Sequence, residues 1–118
     1  MTNAVNNLLS LFGQRRFHFN TESELQEGIA SVLTDASFEF KREVTLSRKD
    51  RIDFLVGDVG IEVKVGGSLA SVTRQLHRYS EFDKISSLIL VTSRMCHGLN
   101  LPNSMNGKPL SIHAIVSL

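Results

Sequence analysis

The sequence predicts an α/β fold, with a central mixed β-sheet flanked by helices. Three observations carry this. Two segments, 21–34 and about 69–82, combine helical apolar spacing with a side-chain cap. Five short segments, 38–46, 51–56, 61–65, 86–93 and 111–117, read as strands. Their order is helix, three strands, helix, strand, strand, so a meander is followed by a crossover helix.

Residues 4–12 place Val5, Leu8, Leu9, Leu11 and Phe12 at spacings that suit a short amphipathic helix, which Gly13 ends. In the next helix Thr21 is an N-cap and Glu24 completes a capping box; Leu25, Ile29, Val32, Leu33 and Ala36 form its apolar face. "FEFKREVTL" at 38–46 alternates loosely. "RIDFLV" and "IEVKV" are two strands around the turn "GDVG". Gly66 and Gly67 end the second of them, and Ser68 caps a helix whose stripe is Leu69, Val72, Leu76 and Tyr79. "SSLILVTS" at 86–93 is a continuous apolar run, the mark of a strand buried on both faces. Residues 94–110 read as a long loop, and "SIHAIVS" as a last strand.

A chain of 118 residues favours one domain, here 1–118 with 1–18 as an N-terminal extension, and can bury a core without disulfides or a structural metal. Cys96 is the sole cysteine, so an internal disulfide is excluded. No run approaches the roughly 18 apolar residues of a membrane span, and the start lacks the basic n-region of a signal peptide. A cytoplasmic protein is the expectation. His18, His77, His97 and His113 are scattered without zinc-site spacing, and Cys96 and His97 are read as incidental. Phosphate-binding loops, dinucleotide fingerprints and nucleophile elbows are missing from the sequence.

The net charge of +1 says nothing about partners, but basic residues cluster at Arg15–Arg16, at Arg48, Lys49 and Arg51, and at Arg74, Arg78 and Lys84. More telling are Asp53, Glu62 and Lys64, which interrupt apolar strands. If Val56 and Ile61 flank the turn, Asp53 lies opposite Lys64 and Leu55 opposite Glu62. Asp53, Glu62 and Lys64 then share one face, while Ile52, Phe54, Val56, Ile61, Val63 and Val65 share the other. Such a group can be a surface ion pair with a spare acid. It can also be a site for a hard cation, which takes carboxylate oxygens and waters.

Asp53 followed by Glu62-Val63-Lys64, after a helix and a strand, resembles the signature of the PD-(D/E)XK nuclease superfamily, which includes restriction enzymes, Holliday-junction resolvases and RecB-type nucleases. The resemblance covers residues 21–93 and implies a restriction-endonuclease-like αβββαβ core. Ile52 stands where the family often has proline. The resemblance further implies that Asp53 and Glu62 ligate Mg²⁺ or Mn²⁺, that Val63 offers its backbone carbonyl, and that Lys64 helps to activate the attacking water. Glu22 falls near the apolar face of its helix and is the candidate for the family's helix acid; Glu24 is explained by capping. Gln75 and Tyr79 in "RQLHRY" are similar to the Gln-x-x-x-Tyr element of RecB-type members, with Gln75 at the catalytic site. The implied function is metal-dependent hydrolysis of DNA phosphodiesters, directed by structure or strand ends, with Arg51, Arg74, Arg78, Tyr79 and Lys49 as nucleic-acid contacts and a homodimer as the assembly. A non-catalytic nucleic-acid-binding domain on the same fold is the alternative.

Overall fold

The computed structural model describes residues 3–115. The elements run α1 (Asn3–Gly13), α2 (Glu22–Asp35), β1 (Lys41–Thr45), β2 (Arg51–Val56), β3 (Val59–Lys64), α3 (Leu69–Tyr79), β4 (Ser87–Thr92), α4 (Met95–Asn100), β5 (Ser104–Met105) and β6 (Lys108–Ala114). The strands form one six-stranded mixed sheet in the order β1-β2-β3-β4-β6-β5. β1, β2 and β3 are antiparallel neighbours, whereas β3, β4 and β6 run parallel. None of the described helices is long and apolar enough to cross a membrane.

Two apolar layers sandwich the sheet. On one face α1 and α2 bury Val5, Leu8, Phe12, Leu25, Ile29 and Leu33 against Phe54, Ile61, Val63, Ile89 and Val91. On the other, α3 packs Val72, Leu76 and Tyr79 against Ile52, Leu55, Leu88 and Leu90. β4 alternates between the two layers and is buried along its whole length, as its unbroken apolar run requires. α1 belongs to the core: burying Val5, Leu8 and Phe12 completely is worth at most roughly 1.5–3 kcal/mol per side chain. The capping box of α2 forms as expected, with Thr21 and Glu24 bonding to each other's backbone amides.

The hairpin register differs from the expected one. Val56 faces Val59 and Phe54 faces Ile61, around a two-residue turn at Gly57 and Asp58. Gly57 takes φ 60° at the first turn position, the conformation that favours glycine there. Gly60 is no turn residue. It sits in β3, where a Cβ would come within 2.6 Å of Ile52 Cδ1, so the glycine is there for close packing. The shift is two residues, and faces survive an even shift. Counting on from Phe54–Ile61, Asp53 comes level with Glu62 rather than with Lys64.

Ile52 is a second correction. It lies in the α3 layer with Leu55, not in the layer of Phe54, so alternation breaks at Asp53. On the facing strand Glu43 holds φ 50°, in mid-strand, while the β1–β2 pairing keeps one register on either side. That left-handed residue is local strain at the point where β2 parts from β3.

Residues 94–110 are not one loop. They contain α4 and β5, and β6 already begins at Lys108. His97 is the reason: it is fully buried, with Nδ1 2.9 Å from Thr92 Oγ1 and its Nε2–H donated to Gly67 O at 3.1 Å. It ties the end of β4 to the glycine turn after β3, so it is not incidental. Of the expected strand 111–117, residues 116 and 117 lie outside the described residues.

Candidate functional site

Where β2 leaves β3, the β3 edge loses its backbone partner, and side-chain carboxylates take over. Val63 N–H donates to Asp53 Oδ2 at 2.8 Å, and Val65 N–H donates to Glu22 Oε1 at 3.3 Å. In return Asp53 N–H donates to Glu62 Oε1 at 3.2 Å. A strand residue presents its N–H and C=O on the same side, so the Val63 carbonyl leaves β3 toward this same gap. Asp53, Glu62 and Val63 therefore meet at one place, a notch between two diverging strands, with Glu22 from the first turn of α2 reaching the β3 edge beside it at Val65.

Lys64 completes the notch. Its Nζ lies 3.5 Å from Glu62 Oε2. Glu62 is almost fully buried, and Lys64 is the one cation paired with it among the described residues. Burial, and then the negative charge of Asp53, raise the proton affinity of Glu62 from 4.5 to about 8, with Lys64 pulling the other way. Asp53 is also raised, again mainly by burial, with Glu22 adding to the rise. Two acids that resist ionising together signal a deficit of positive charge at this point.

The α3 residues have mixed fates. Gln75 Nε2 donates to Tyr79 Oη at 2.8 Å, and Tyr79 Oη lies 2.9 Å from Arg51 O and 3.3 Å from Glu62 Oε2. The phenol has one hydrogen, so it serves one of these acceptors at a time. Burial, helped by the charge of Glu62, pushes its proton affinity up and keeps it protonated. Gln75 reaches Glu62 only through this hydroxyl. Tyr79 is fully buried: its ring fills the α3 core layer and its hydroxyl meets the notch.

Arg51, Lys49 and Arg74 are exposed. Arg51 makes a loose pair with Glu43 at 3.8 Å, whereas Arg78 Nε is held by the buried Asp50 at 2.9 Å. Arg48, Lys49, Arg51, Gln75 and Tyr79 contribute to an open cleft of 410 Å³ next to the notch. Its basic rim suits a phosphate backbone.

Sequence reasoning missed Gln26, a polar neighbour that favours the charged form of Asp53. It stands one helical turn after Glu22, and that spacing was the available signal.

Among the described residues, no three His, Cys, Asp or Glu side chains converge into a ready cage for a metal ion. The acids come as the pair Asp53–Glu62, with Glu22 further along the β3 edge. That donor set fits Mg²⁺, which binds through one or two carboxylates and keeps most of its waters. Comparison of the chain with protein-family models, with curated protein sequences and with solved structures finds no match.

Proposed function

We propose that this chain is a metal-dependent nuclease of the PD-(D/E)XK type, with a restriction-endonuclease-like core, that hydrolyses DNA phosphodiester bonds. One observation carries the reading. Two carboxylates from neighbouring strands, Glu62 buried and Asp53 half-buried, meet at a strand divergence with a lysine on the second strand, and together they lack positive charge. Asp53 and Glu62, with the Val63 carbonyl, would hold Mg²⁺ or Mn²⁺, and Glu22 would border the site. Such an ion supplies Lewis acidity toward the phosphate and lowers the pKa of a water.

The protein's own groups do the remaining work. Lys64 donates from Nζ to the incoming phosphate or water and stabilises developing negative charge. Tyr79 and Gln75 orient Glu62. Arg51, Lys49 and Arg74 hold the backbone of the substrate without reading its sequence.

The second reading is a non-catalytic nucleic-acid-binding domain on the same fold. It is favoured by the backbone hydrogen bonds of Asp53, Glu22 and Glu62, which give each acid a structural task in its own right. Linear, nicked, flapped and four-way-junction DNA, incubated with Mg²⁺, Mn²⁺ or EDTA, separates the two. The nuclease reading requires cleavage that EDTA abolishes and that Asp53→Asn and Lys64→Met each reduce at least about 100-fold. Tight binding with no cleavage of any substrate would support the second reading, and cleavage indifferent to EDTA would sink the site assignment.

A further inference from the structure

A larger cleft, 660 Å³, lies between the α1–α2 connection and the end of β6, apart from the notch. Its lining includes Phe12, Phe17, Phe19 and His113 together with Arg15, Arg16 and His18. The segment "RRFHF" builds one wall. Phe17 and Phe19 are half-buried against the α1–α2 core, and Arg15, Arg16 and His18 are exposed. Phe17 rests on Gly28, where a Cβ would lie 3.1 Å from its ring, so the aromatic wall is anchored from behind. On the opposite wall His113 packs against Phe12, with ring centroids 6.1 Å apart. Burial lowers the proton affinity of His113 and keeps it an uncharged ring near neutral pH.

The cleft shares an edge of the sheet with the notch. Val63, Val91 and His113 are in-register neighbours on the parallel strands β3, β4 and β6. At the usual strand spacing His113 lies roughly 10 Å from Val63. Both features sit toward the carboxyl ends of parallel strands, where ligands of α/β sheets bind. The first turn of α2 separates them: Glu22 reaches Val65 on one side, and Glu24 lines the cleft on the other. The Glu24 carboxylate is engaged by the amides of Asn20 and Thr21. Arg15 makes only a loose pair with exposed Asp35, at 4.0 Å.

Flat rings beside arginines suit a ligand that offers both aromatic faces and phosphates. A duplex hides its base faces in the stack, whereas a single strand exposes them. We infer that this cleft binds a single-stranded stretch of nucleic acid flanking the scissile phosphate, with bases on Phe17, Phe19 and His113 and phosphates on Arg15 and Arg16. The inference rests on the nuclease reading and narrows it: the substrate is tailed or branched DNA rather than plain duplex.

Binding is measured in EDTA, so that cleavage plays no part, by fluorescence anisotropy with three probes of equal length: labelled oligothymidine, an abasic deoxyribose-phosphate strand, and blunt duplex. Oligothymidine is expected to bind about ten-fold more tightly than either of the others, because stacking adds to phosphate pairing. The double substitution Arg15→Ala, Arg16→Ala is expected to weaken oligothymidine about ten-fold and to flatten its salt dependence. Its thermal melt should match that of the unaltered protein, since both side chains are exposed. Equal binding of oligothymidine and abasic strand, a preference for duplex, or indifference to the double substitution would each overturn the inference. The nuclease reading fails separately, by absence of cleavage in Mg²⁺, so the two failures are distinguishable.

Discussion

At the scale of single residues, the notch is governed by charge. Glu62 has a folded proton affinity near 8 against an ordinary 4.5. Between these values the folded protein holds a proton that the unfolded chain releases. Stability contributed by this proton is therefore complete below pH 4.5 and is lost as pH rises through 8. Asp53, also raised, acts in the same direction. In EDTA the melting temperature should fall from pH 5 to pH 9, and Glu62→Gln should remove most of that fall; a parallel decline in the variant would show that the slope has another source. On the nuclease reading, Lys64→Met should reduce cleavage at least about 100-fold while leaving DNA affinity within about two-fold, because Nζ would act on the reacting phosphate rather than on the flanking backbone. Tyr79→Phe leaves Gln75 without its acceptor and Arg51 O without a donor, at a cost of about 1–3 kcal/mol in denaturant titration. Asp53, Glu62 and Lys64 stood out in the sequence because each charge interrupts an apolar strand. Gln26 did not, since its one signal, the four-residue spacing from Glu22, points to nothing until Asp53 is seen nearby.

At the scale of elements, the β2–β3 hairpin sets the geometry. Reading "GDVG" as the whole turn put the register two residues out, since glycine marks both turns and close packing. Gly57 does the first, with its positive φ, and Gly60 the second, beneath Ile52. Gly60→Ala should therefore destabilise the fold by about 1–3 kcal/mol. Combining it with Ile52→Val, which removes the clashing Cδ1, should recover part of that loss; additive losses would show that the clash lies elsewhere. The broken alternation at Asp53 was illegible, because nothing in "RIDFLV" marks the point where one strand abandons another. The long loop was misread for a related reason. α4 carries exposed Met95 and Leu99 and no side-chain cap, so its local signal is weak, and it is held by His97 bonding to Thr92 and Gly67.

At the scale of the whole molecule, the sheet gathers what the chain keeps apart. Glu22 and Val65 are 43 residues apart and share a hydrogen bond. A cation binding at the notch should couple to global stability, because it would bind the folded form alone. Mg²⁺ at about 100 times its dissociation constant should add about 2.7 kcal/mol. The gain should be larger at pH 9 than at pH 6, since protonated Glu62 competes with the ion, and it should vanish in Asp53→Asn. A thermal shift equal in the variant would place the ion elsewhere.

The sequence by itself determined the layers: apolar spacing in 21–34 and 69–82, caps at Thr21 and Ser68, and the buried run of β4 require helices on both faces of a sheet. Strand periodicity also determined that Glu62 and Lys64 share a face, since that depends only on parity within β3; Asp53 lies where the alternation of β2 breaks, so parity did not fix its side. Only the tertiary structure decided what those charges touch. β2 and β3 separate at Asp53, the open amides of Val63 and Val65 draw in carboxylates from β2 and α2, and the pair of half-buried Asp53 and buried Glu62 is left short of positive charge. Parity is a local property of the strand, whereas hydrogen-bond partners and desolvation depend on which distant segments close around it.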